Sequence, residues 1–491
     1  MSMPFRDATA LRDAVRSRQV KATEALEPFL QRAQAANEGL NAFHEILIDD
    51  ARGQAQAIDR LIAEGRDPGP MAGIPVAVKD NIATRIGQTT CSSRMLQGYR
   101  SPFDATCVER LKAAGAIVMG KTNLDEFAMG SSSERCAWGP VRNPWDPSRV
   151  PGGSSGGSAV AAAASLCGVA LGSDTGGSIR QPASLCGCVG FKPTYGRVSR
   201  WGLVAFGSSL DQVGPLAASV RDAALTYAMM AGADSRDSTT APTPIEDPLV
   251  QLETPVRNLR VGVPRQYMSA DNDPRVNAAV QASLDRLRDA GATLVEVDLP
   301  LTDAGISTYY VIAPAEASSN LARFDGIRYG FRAAARVGQS LDDLYADSRG
   351  QGFGPEVQRR IMLGTYVLSA GYYDAYYGRA LRVRRRIKDE FDAAFQMCDV
   401  IAGPTSPTPA FAMGGLKDPL QMYLCDVYTV NTNIAGIPGI SVPVGFASEG
   451  GRQLPIGLPL QAPAMEDARL LRVAAMVERL HPEAKACPPL P

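Results

Sequence analysis

The sequence predicts an α/β protein whose central sheet is covered by helices on both faces. A helix–turn–strand pattern occurs twice, at residues 108–119 and 284–295, and Gly291 is placed to end the helix of the second copy. Short apolar segments between glycine and proline turns also recur, as at residues 73–80. Apolar strands that alternate with helices are typical of a sheet buried on both sides.

The elements that precede and follow this pattern suggest how the chain is divided. Residues 8–65 are predicted as two or three amphipathic helices, so we place an N-terminal helical segment at 1–65, packed on a main domain at 66–485. A chain of 491 residues exceeds the usual size of a single core, about 250–300 residues. It therefore forms either one large unit with insertions or two domains. The polar, proline-rich segment 233–256 is predicted as a surface loop rather than a domain linker.

Composition excludes several classes of function. The 50 basic and 51 acidic residues are scattered, which argues against strong binding of nucleic acid by this chain alone. The N-terminus has no apolar signal segment, and the alanine-rich run 159–164 is far shorter than the roughly 20 residues that span a bilayer. The nine cysteines have no disulfide or metal-site spacing, so we expect reduced thiols, no metal site and a cytoplasmic protein.

Two glycine- and serine-rich clusters, at 151–158 and 172–180, flank a helix-forming run. One reading is two loops that use glycine for turns and serine for helix caps. A phosphate-binding loop is disfavoured because no lysine follows either cluster. A Gly-x-Ser-x-Gly elbow is present around Ser154, but it needs a histidine base, and the chain has only His44 and His481.

A serine without histidine needs another base, and Lys79 is the best candidate. It ends an apolar strand, where burial would lower the pKa of its amine, although a lysine at a strand end is more often solvated or ion-paired. The run from Thr175 to Ser178 supplies adjacent glycines whose backbone N–H groups can stabilise an oxyanion beside Ser178. Together these residues predict acyl transfer by a serine with a lysine base.

Residues 152–193, with Lys79 upstream, resemble the amidase signature family, in which two serines 24 residues apart act with one lysine. The resemblance implies that Ser178 is the acylated nucleophile, that Ser154 is a bridging serine held by a cis peptide bond, and that Lys79 is the base behind it. It also implies a mixed sheet of about eleven strands, with residues 66–485 as the catalytic domain.

The same resemblance implies roles for the residues around Ser178. The oxyanion hole is expected from the backbone of three residues, together with the Ser178 amide: Thr175, Gly176 and Gly177. Asp174 and Arg180 are expected to hold the loop in shape.

Segments 121–134, 316–329 and 369–377 are similar to one branch of that family, the glutaminase subunits of tRNA-dependent amidotransferases. Glutamine is a zwitterion, so its pocket should pair an arginine with the α-carboxylate and a carboxylate with the α-ammonium group. The resemblance implies Tyr310, Arg359 and Asp426 for these contacts. Tyr309 and Arg360 are the neighbouring alternatives.

The branch also implies a heterotrimer with two partners, the B and C subunits of the amidotransferase. Ammonia from glutamine would pass to the B subunit, which holds most of the tRNA and uses ATP and Mg²⁺ to amidate Glu-tRNA(Gln) or Asp-tRNA(Asn). This chain would hold no cofactor and no metal. Three other hypotheses remain open: a free-standing amidase acting on small carboxamides, a scaffold that has lost catalysis, and a histidine-dependent hydrolase.

Overall fold

The computed structural model describes residues 6–489, which fold around one mixed sheet of eleven strands. The strand order across the sheet is β1-β3-β2-β4-β6-β5-β10-β11-β9-β7-β8. The strands are β1 (Phe43–Ile46), β2 (Pro75–Lys79), β3 (Ile117–Thr122), β4 (Val169–Asp174), β5 (Val189–Lys192), β6 (Gln212–Ala217), β7 (Arg260–Pro264), β8 (Thr293–Val297), β9 (Val400–Ala402), β10 (Gly439–Glu449) and β11 (Arg452–Gln461).

Parallel pairing of β2 with β3 and β4 brings the carboxyl ends of these three strands together. β2 lies between β3 and β4 and runs parallel to both, whereas the pairs from β4 through β11 to β9 are antiparallel. Lys79, the last residue of β2, lies opposite Thr122 at the end of β3. The carboxyl ends of parallel strands share one edge, so Lys79 is placed beside the loop that follows β4.

Helices cover both faces of this sheet. Every residue of β2, β3 and β4 is buried, which requires cover on both sides and confirms the predicted fold class. The helices are α1 (Ala8–Arg16), α2 (Ala22–Leu40), α3 (Ile48–Ala63), α4 (Thr106–Ala113), α5 (Gly156–Ala163), α6 (Arg180–Cys186), α7 (Val220–Met230), α8 (Pro274–Asp289), α9 (Ala304–Asn320), α10 (Leu341–Gly352), α11 (Pro355–Leu368), α12 (Arg379–Met397), α13 (Pro419–Leu424), α14 (Val430–Ile434) and α15 (Asp467–Leu480).

The N-terminal part contains three helices, where two or three were predicted, and one element that the sequence did not indicate. Strand β1 pairs antiparallel with β3 at the edge of the sheet, so this part of the chain adds to the sheet as well as packing against it. Residues 1–5 of the predicted segment 1–65 lie outside the described residues. The loop 233–256 connects α7 to β7, two elements that pack on or belong to the same sheet.

Both helix–turn–strand predictions are confirmed, as α4 with β3 and as α8 with β8. Gly291 follows the end of α8 with a φ of +94°, a conformation that favours glycine. All nine cysteines are free thiols, and seven of them are buried. Over the residues described here, none of the helices combines the length and the apolar composition that a bilayer crossing requires.

Candidate active site

The first glycine- and serine-rich cluster forms the loop before α5 and the start of that helix, and the second spans the end of β4 and the loop before α6. Both lie at the edge of the sheet where β2 ends. Ser154 lies just before α5, and the peptide bond between Gly153 and Ser154 is cis. Ser178 lies in the loop between β4 and α6. The Ser155 N–H donates a hydrogen bond to the Ser178 carbonyl oxygen over 3.1 Å, which ties the two loops together.

Lys79 is fully buried beneath these loops and is surrounded by neutral oxygen atoms. Its Nζ donates to Ser154 Oγ at 2.8 Å and to Ser155 Oγ at 2.7 Å. Ser173 accepts from the same nitrogen through its Oγ at 3.0 Å and its carbonyl oxygen at 3.3 Å. Burial lowers the pKa of Lys79 to about 7, against the opposing effect of the charges on Asp125 and Asp174. The neutral amine is therefore accessible to Lys79 near neutral pH.

Ser178 is the most accessible of the three residues, with 8% of its surface exposed, whereas Lys79 and Ser154 are fully buried. The structure thus arranges a buried amine, a buried hydroxyl in contact with it, and a more accessible serine on the adjoining loop. The loop before Ser178 comes so close to its neighbours that two positions require glycine. A Cβ on Gly176 would lie 2.8 Å from the Tyr309 ring. Gly177 has a φ of +136°, and a Cβ there would collide with Thr429 Oγ1.

One of the expected oxyanion donors is already engaged. The Gly177 N–H donates to Asp174 Oδ1 at 2.8 Å, so this amide does not face a substrate in the structure. Within residues 6–489, the N–H groups of Thr175, Gly176 and Ser178 have no hydrogen-bond acceptor. The oxyanion hole expected from the sequence is therefore corrected to exclude the Gly177 amide.

Asp174 and Arg180 fix the shape of the loop, as expected. Arg180 donates to both carboxylate oxygens of Asp174, at 3.0 and 3.1 Å, and to Asn433 Oδ1 at 2.6 Å. Burial alone would raise the pKa of Asp174, but the charge and hydrogen bonds of Arg180 lower it to about 2. Asp174 therefore stays ionised and cannot act as a proton donor near neutral pH.

The structure places the two adjacent arginines in different surroundings. The Arg359 side chain is 46% exposed and pairs with Glu356, whereas the Arg360 side chain is only 4% exposed. Arg360 Nε donates to Glu356 Oε1 at 3.0 Å, and its guanidinium lies 5.1 Å from the centre of the Tyr310 ring. The reason is the periodicity of α11, whose inward side chains include Val357, Arg360, Gly364 and Val367.

Asp426 is also buried, and one of its oxygens lacks a donor. Ser131 Oγ donates to Oδ2, while Oδ1 has no hydrogen-bond partner among the described residues. Burial raises the pKa of Asp426 to about 7, and the positive charge of Arg360 opposes that rise. A buried carboxyl group with an unpaired oxygen is suited to receive a cationic ligand.

Both candidate tyrosines lie in this region but in different positions. Tyr309 is buried against Gly176, next to the loop of Ser178. Tyr310 is stacked on Tyr423, with ring centres 3.8 Å apart, and its hydroxyl lies 3.4 Å from Arg360 Nη2. The structure thus places Tyr310 on the arginine and Tyr309 on the serine loop.

Sequence reasoning missed Ser155 and Ser173, the hydroxyl groups that surround Lys79, and Ser131, which contacts Asp426. Ser155 stands directly after Ser154, so only its position in the folded loop distinguishes it from other serines of the cluster. Neither histidine contacts the site. His481 bonds to Val477 and Ser283, and His44 bonds to Ser92.

No group of three or more histidine, cysteine, aspartate or glutamate residues in the described part of the chain is arranged to hold a metal ion.

Comparisons with known proteins identify the class to which this fold and site belong. The amidase family profile matches residues 24–471, so the chain belongs to the amidase family. The solved structure of a native peptide amidase from Stenotrophomonas maltophilia is similar, with 32% identity, a TM-score of 0.85 and complete coverage of both chains.

Within the family, the chain is similar over nearly its full length to proteins named as the A subunit of glutamyl-tRNA(Gln) amidotransferase. The protein from Synechococcus sp. (strain RCC307) is 54% identical over 95% of this chain and 96% of its own. That from Anaeromyxobacter dehalogenans (strain 2CP-C) is 54% identical over 98% of each chain. The crystal structure of the corresponding protein from Thermotoga maritima has 41% identity and a TM-score of 0.82, over 100% of this chain and 99% of that one.

Proposed function

We propose that this chain is the glutamine-hydrolysing subunit of a tRNA-dependent amidotransferase, acting through Lys79, Ser154 and Ser178. The observation that carries the proposal is the contact between Lys79 Nζ and Ser154 Oγ, at 2.8 Å, in surroundings that lower the lysine pKa to about 7. A neutral amine bonded to a buried hydroxyl is the arrangement that a base without histidine requires.

In the first half of the reaction, Ser178 Oγ attacks the side-chain carboxamide carbon of glutamine. Its proton passes to Ser154 Oγ as the Ser154 proton passes to neutral Lys79. The carbonyl oxygen becomes an oxyanion, which the N–H groups of Thr175, Gly176 and Ser178 stabilise. The C–N bond then breaks, and the proton held by Lys79 returns through Ser154 to the leaving nitrogen, which departs as ammonia.

In the second half, water hydrolyses the γ-glutamyl ester on Ser178. The same relay removes a proton from the attacking water and returns it to Ser178 Oγ as glutamate leaves. Lys79 is therefore neutral at the start and at the end of each cycle. The Asp174–Arg180 pair is expected to keep the serine loop in place and takes no part in proton transfer.

Recognition of glutamine is assigned to Arg360 and Asp426. The Arg360 guanidinium would pair with the α-carboxylate, with Tyr310 fixing its orientation, and Asp426 Oδ1 would accept from the α-ammonium group. The unpaired oxygen of Asp426 supports this role, because an incoming ammonium group would supply the missing donor. Arg359 is left out because its side chain faces solvent.

The ammonia would pass to a partner chain. The B subunit would use it, with ATP and Mg²⁺ bound there, to amidate Glu-tRNA(Gln) or Asp-tRNA(Asn) in a cytoplasmic heterotrimer whose third member is the C subunit. Glutamine hydrolysis by this chain requires neither ATP nor Mg²⁺. The similarity to A subunits from several bacteria, at about half of all positions, supports this assignment.

Two measurements test the proposal. Mass spectrometry after reaction with a glutamine-like electrophile should find a γ-glutamyl adduct on Ser178, and an adduct on any other residue would contradict the mechanism. Arg360→Lys should raise the KM for glutamine by about 10- to 100-fold because a charged hydrogen bond is lost, whereas the matched change Arg359→Lys should leave KM within about twofold.

A free-standing amidase for small carboxamides is the second candidate, favoured by the similarity to a peptide amidase. The two candidates differ in their need for a charged substrate and a partner. The purified chain should release ammonia from glutamine slowly until the B and C subunits are added, and should act poorly on aliphatic amides. Rapid hydrolysis of aliphatic amides by the chain alone would favour the second candidate.

A further inference from the structure

The outward side of α11, the π-helical turn Tyr373–Gly378 and the start of α12 form one exposed surface, which we call the Tyr–Arg face (outward side chains of residues 362–386). On α11, Met362 is 66% exposed and Tyr366 is 47% exposed. The ring of Tyr366 lies 4.5 Å from that of Tyr372 and 6.2 Å from that of Tyr376, so the three tyrosines form a cluster. Large, partly exposed apolar side chains are therefore grouped on this surface.

Unpaired positive charge adjoins the tyrosine cluster. Arg379, Arg382 and Arg386 lie at helical spacing on one side of α12, and no carboxylate among residues 6–489 lies within 4 Å of them. Their neighbours are engaged, since Arg385 pairs with Asp389 and Arg384 donates to Ser209. The three arginines are thus available to a partner.

The composition of this region is typical of a protein–protein interface. Residues 359–386 contain seven arginines and five tyrosines, one aspartate, and neither lysine nor glutamate. Tyrosine, methionine and arginine are enriched at interfaces, whereas lysine and glutamate are depleted. An ordinary solvated helix surface would carry lysine and glutamate as well.

A protein partner fits the face better than RNA does. Exposed Leu363 and Leu381 join Met362 in adding aliphatic surface, which nucleic acid does not match. The clustered tyrosine rings also pack against one another, so they are not presented singly to unstacked bases.

We propose that the Tyr–Arg face is the docking surface for an acidic region of the B subunit, with the tyrosines at its centre and the arginines pairing with the partner's carboxylates. This inference rests on the proposed function, because it takes the B subunit, which would receive the ammonia, as the partner. The face also lies on α11, the helix that carries Arg360, so a bound partner would contact the element that positions the glutamine pocket.

The experiment uses the full chain and the purified B and C subunits of the same organism, with binding measured by calorimetry at 50 and 300 mM NaCl. Arg382→Glu/Arg386→Glu should raise Kd at least about tenfold and reduce its salt dependence. Tyr366→Ala/Tyr372→Ala should weaken binding by a similar factor at both salt concentrations. The matched control Arg452→Glu, at an exposed arginine of the β10–β11 hairpin, should leave Kd unchanged.

Basal glutaminase activity and the melting temperature should stay at native values in all variants, since none of these residues touches the site. Native-like binding by both double variants would overturn the docking surface while leaving the proposed function intact. A native chain that binds neither partner would contradict the proposed function, and the docking inference with it. Binding of a tRNA transcript by the chain alone, lost in Arg382→Glu/Arg386→Glu, would show that the face is an RNA site instead.

Discussion

Lys79 and Lys121 are both fully buried and lie on adjacent parallel strands, yet their surroundings differ in one respect. Lys79 Nζ donates only to neutral oxygens, those of Ser154, Ser155 and Ser173. Lys121 Nζ donates to Ile82, Thr84 and Thr89 and also lies 3.4 Å from the buried carboxylate of Asp80. Burial lowers the pKa of both amines, and the charge on Asp80 opposes this at Lys121.

The difference indicates what separates a basic lysine from a structural one. A carboxylate in contact stabilises the charged form, so Lys121 serves as half of an ion pair that holds the ends of β2 and β3 together. Hydroxyl groups accept from either form of the amine, so Lys79 can exchange a proton near neutral pH without losing its position. A buried lysine is therefore suited to act as a base only where no carboxylate contacts its amine.

Substitution of the two lysines should differ most in its effect on the rate of glutamine hydrolysis. Lys79→Met removes the proton acceptor and should lower kcat for glutamine hydrolysis by about 10⁴-fold, the upper range for general base catalysis. Steady-state ammonia release measures it. The free energy of unfolding should change little, because a buried amine without a counter-ion is replaced by an apolar side chain of similar length.

The matched variant Lys121→Met should instead destabilise the fold and leave the rate nearly unchanged. It leaves the buried carboxylate of Asp80 unpaired and should lower the free energy of unfolding by about 3–5 kcal/mol, as measured by urea denaturation. The activity of the remaining folded fraction should stay within a few-fold of native. Adding Asp80→Asn should recover much of the stability, since the unpaired charge is then removed. A large loss of kcat in folded Lys121→Met would contradict the distinction between the two lysines.

The pH dependence of kcat/KM also distinguishes Lys79 from Lys121. Lys79 and Asp426 both have a pKa of about 7 and both are proposed to act in their deprotonated forms, so activity should rise with pH. Each group alone gives about a tenfold increase in kcat/KM between pH 6 and pH 8, and the two together approach a hundredfold increase. The profile should level off above pH 8 to 9. Lys121→Met/Asp80→Asn should show the same midpoint as the native chain, whereas a shifted midpoint would mean that Lys121 titrates with the reaction.

Residue types and spacing predicted which residues come together in the candidate site, because the proposed chemistry depends on few features. The scarcity of histidine and the apolar strand before Lys79 pointed to a lysine base, and the spacing of Ser154 and Ser178 identified the family. The choice between Arg359 and Arg360 needed the folded helix. Once the inward side of α11 is known, the periodicity of Val357, Gly364 and Val367 favours Arg360.

The sequence predicts the fold class and several of the helices and strands, but two features of the structure depend on tertiary contacts. Strand β1 has no apolar alternation of its own, and it is a strand because it pairs with β3 at the sheet edge. The engagement of the Gly177 amide follows from the position of the Asp174 side chain, which Arg180 fixes. Local propensity carries no information on either contact.

The smallest predicted effect concerns the hydroxyl groups around Lys79. Ser155→Ala removes one of the acceptors of Lys79 Nζ while leaving the contact with Ser154, so kcat should fall only a few-fold. The protonated amine depends on acceptors more than the neutral amine does, so the pKa of Lys79 should fall. The midpoint of the Lys79 titration in the kcat/KM profile should then move to lower pH, by about 0.7 unit for a hydrogen bond worth about 1 kcal/mol.

Ser158→Ala is the matched control for this change. Ser158 lies on α5 close to Ser155 in sequence, and its Oγ contacts Thr122 and the Leu171 carbonyl oxygen instead of Lys79. The midpoint of the kcat/KM profile of Ser158→Ala should equal that of the native chain. If both variants shift the midpoint equally, the effect comes from packing around α5, and the hydroxyl groups around Lys79 do not set its pKa. If only Ser155→Ala shifts it, and downward, the hydroxyl groups set the pKa of the base directly, which no purely structural role for Ser155 would produce.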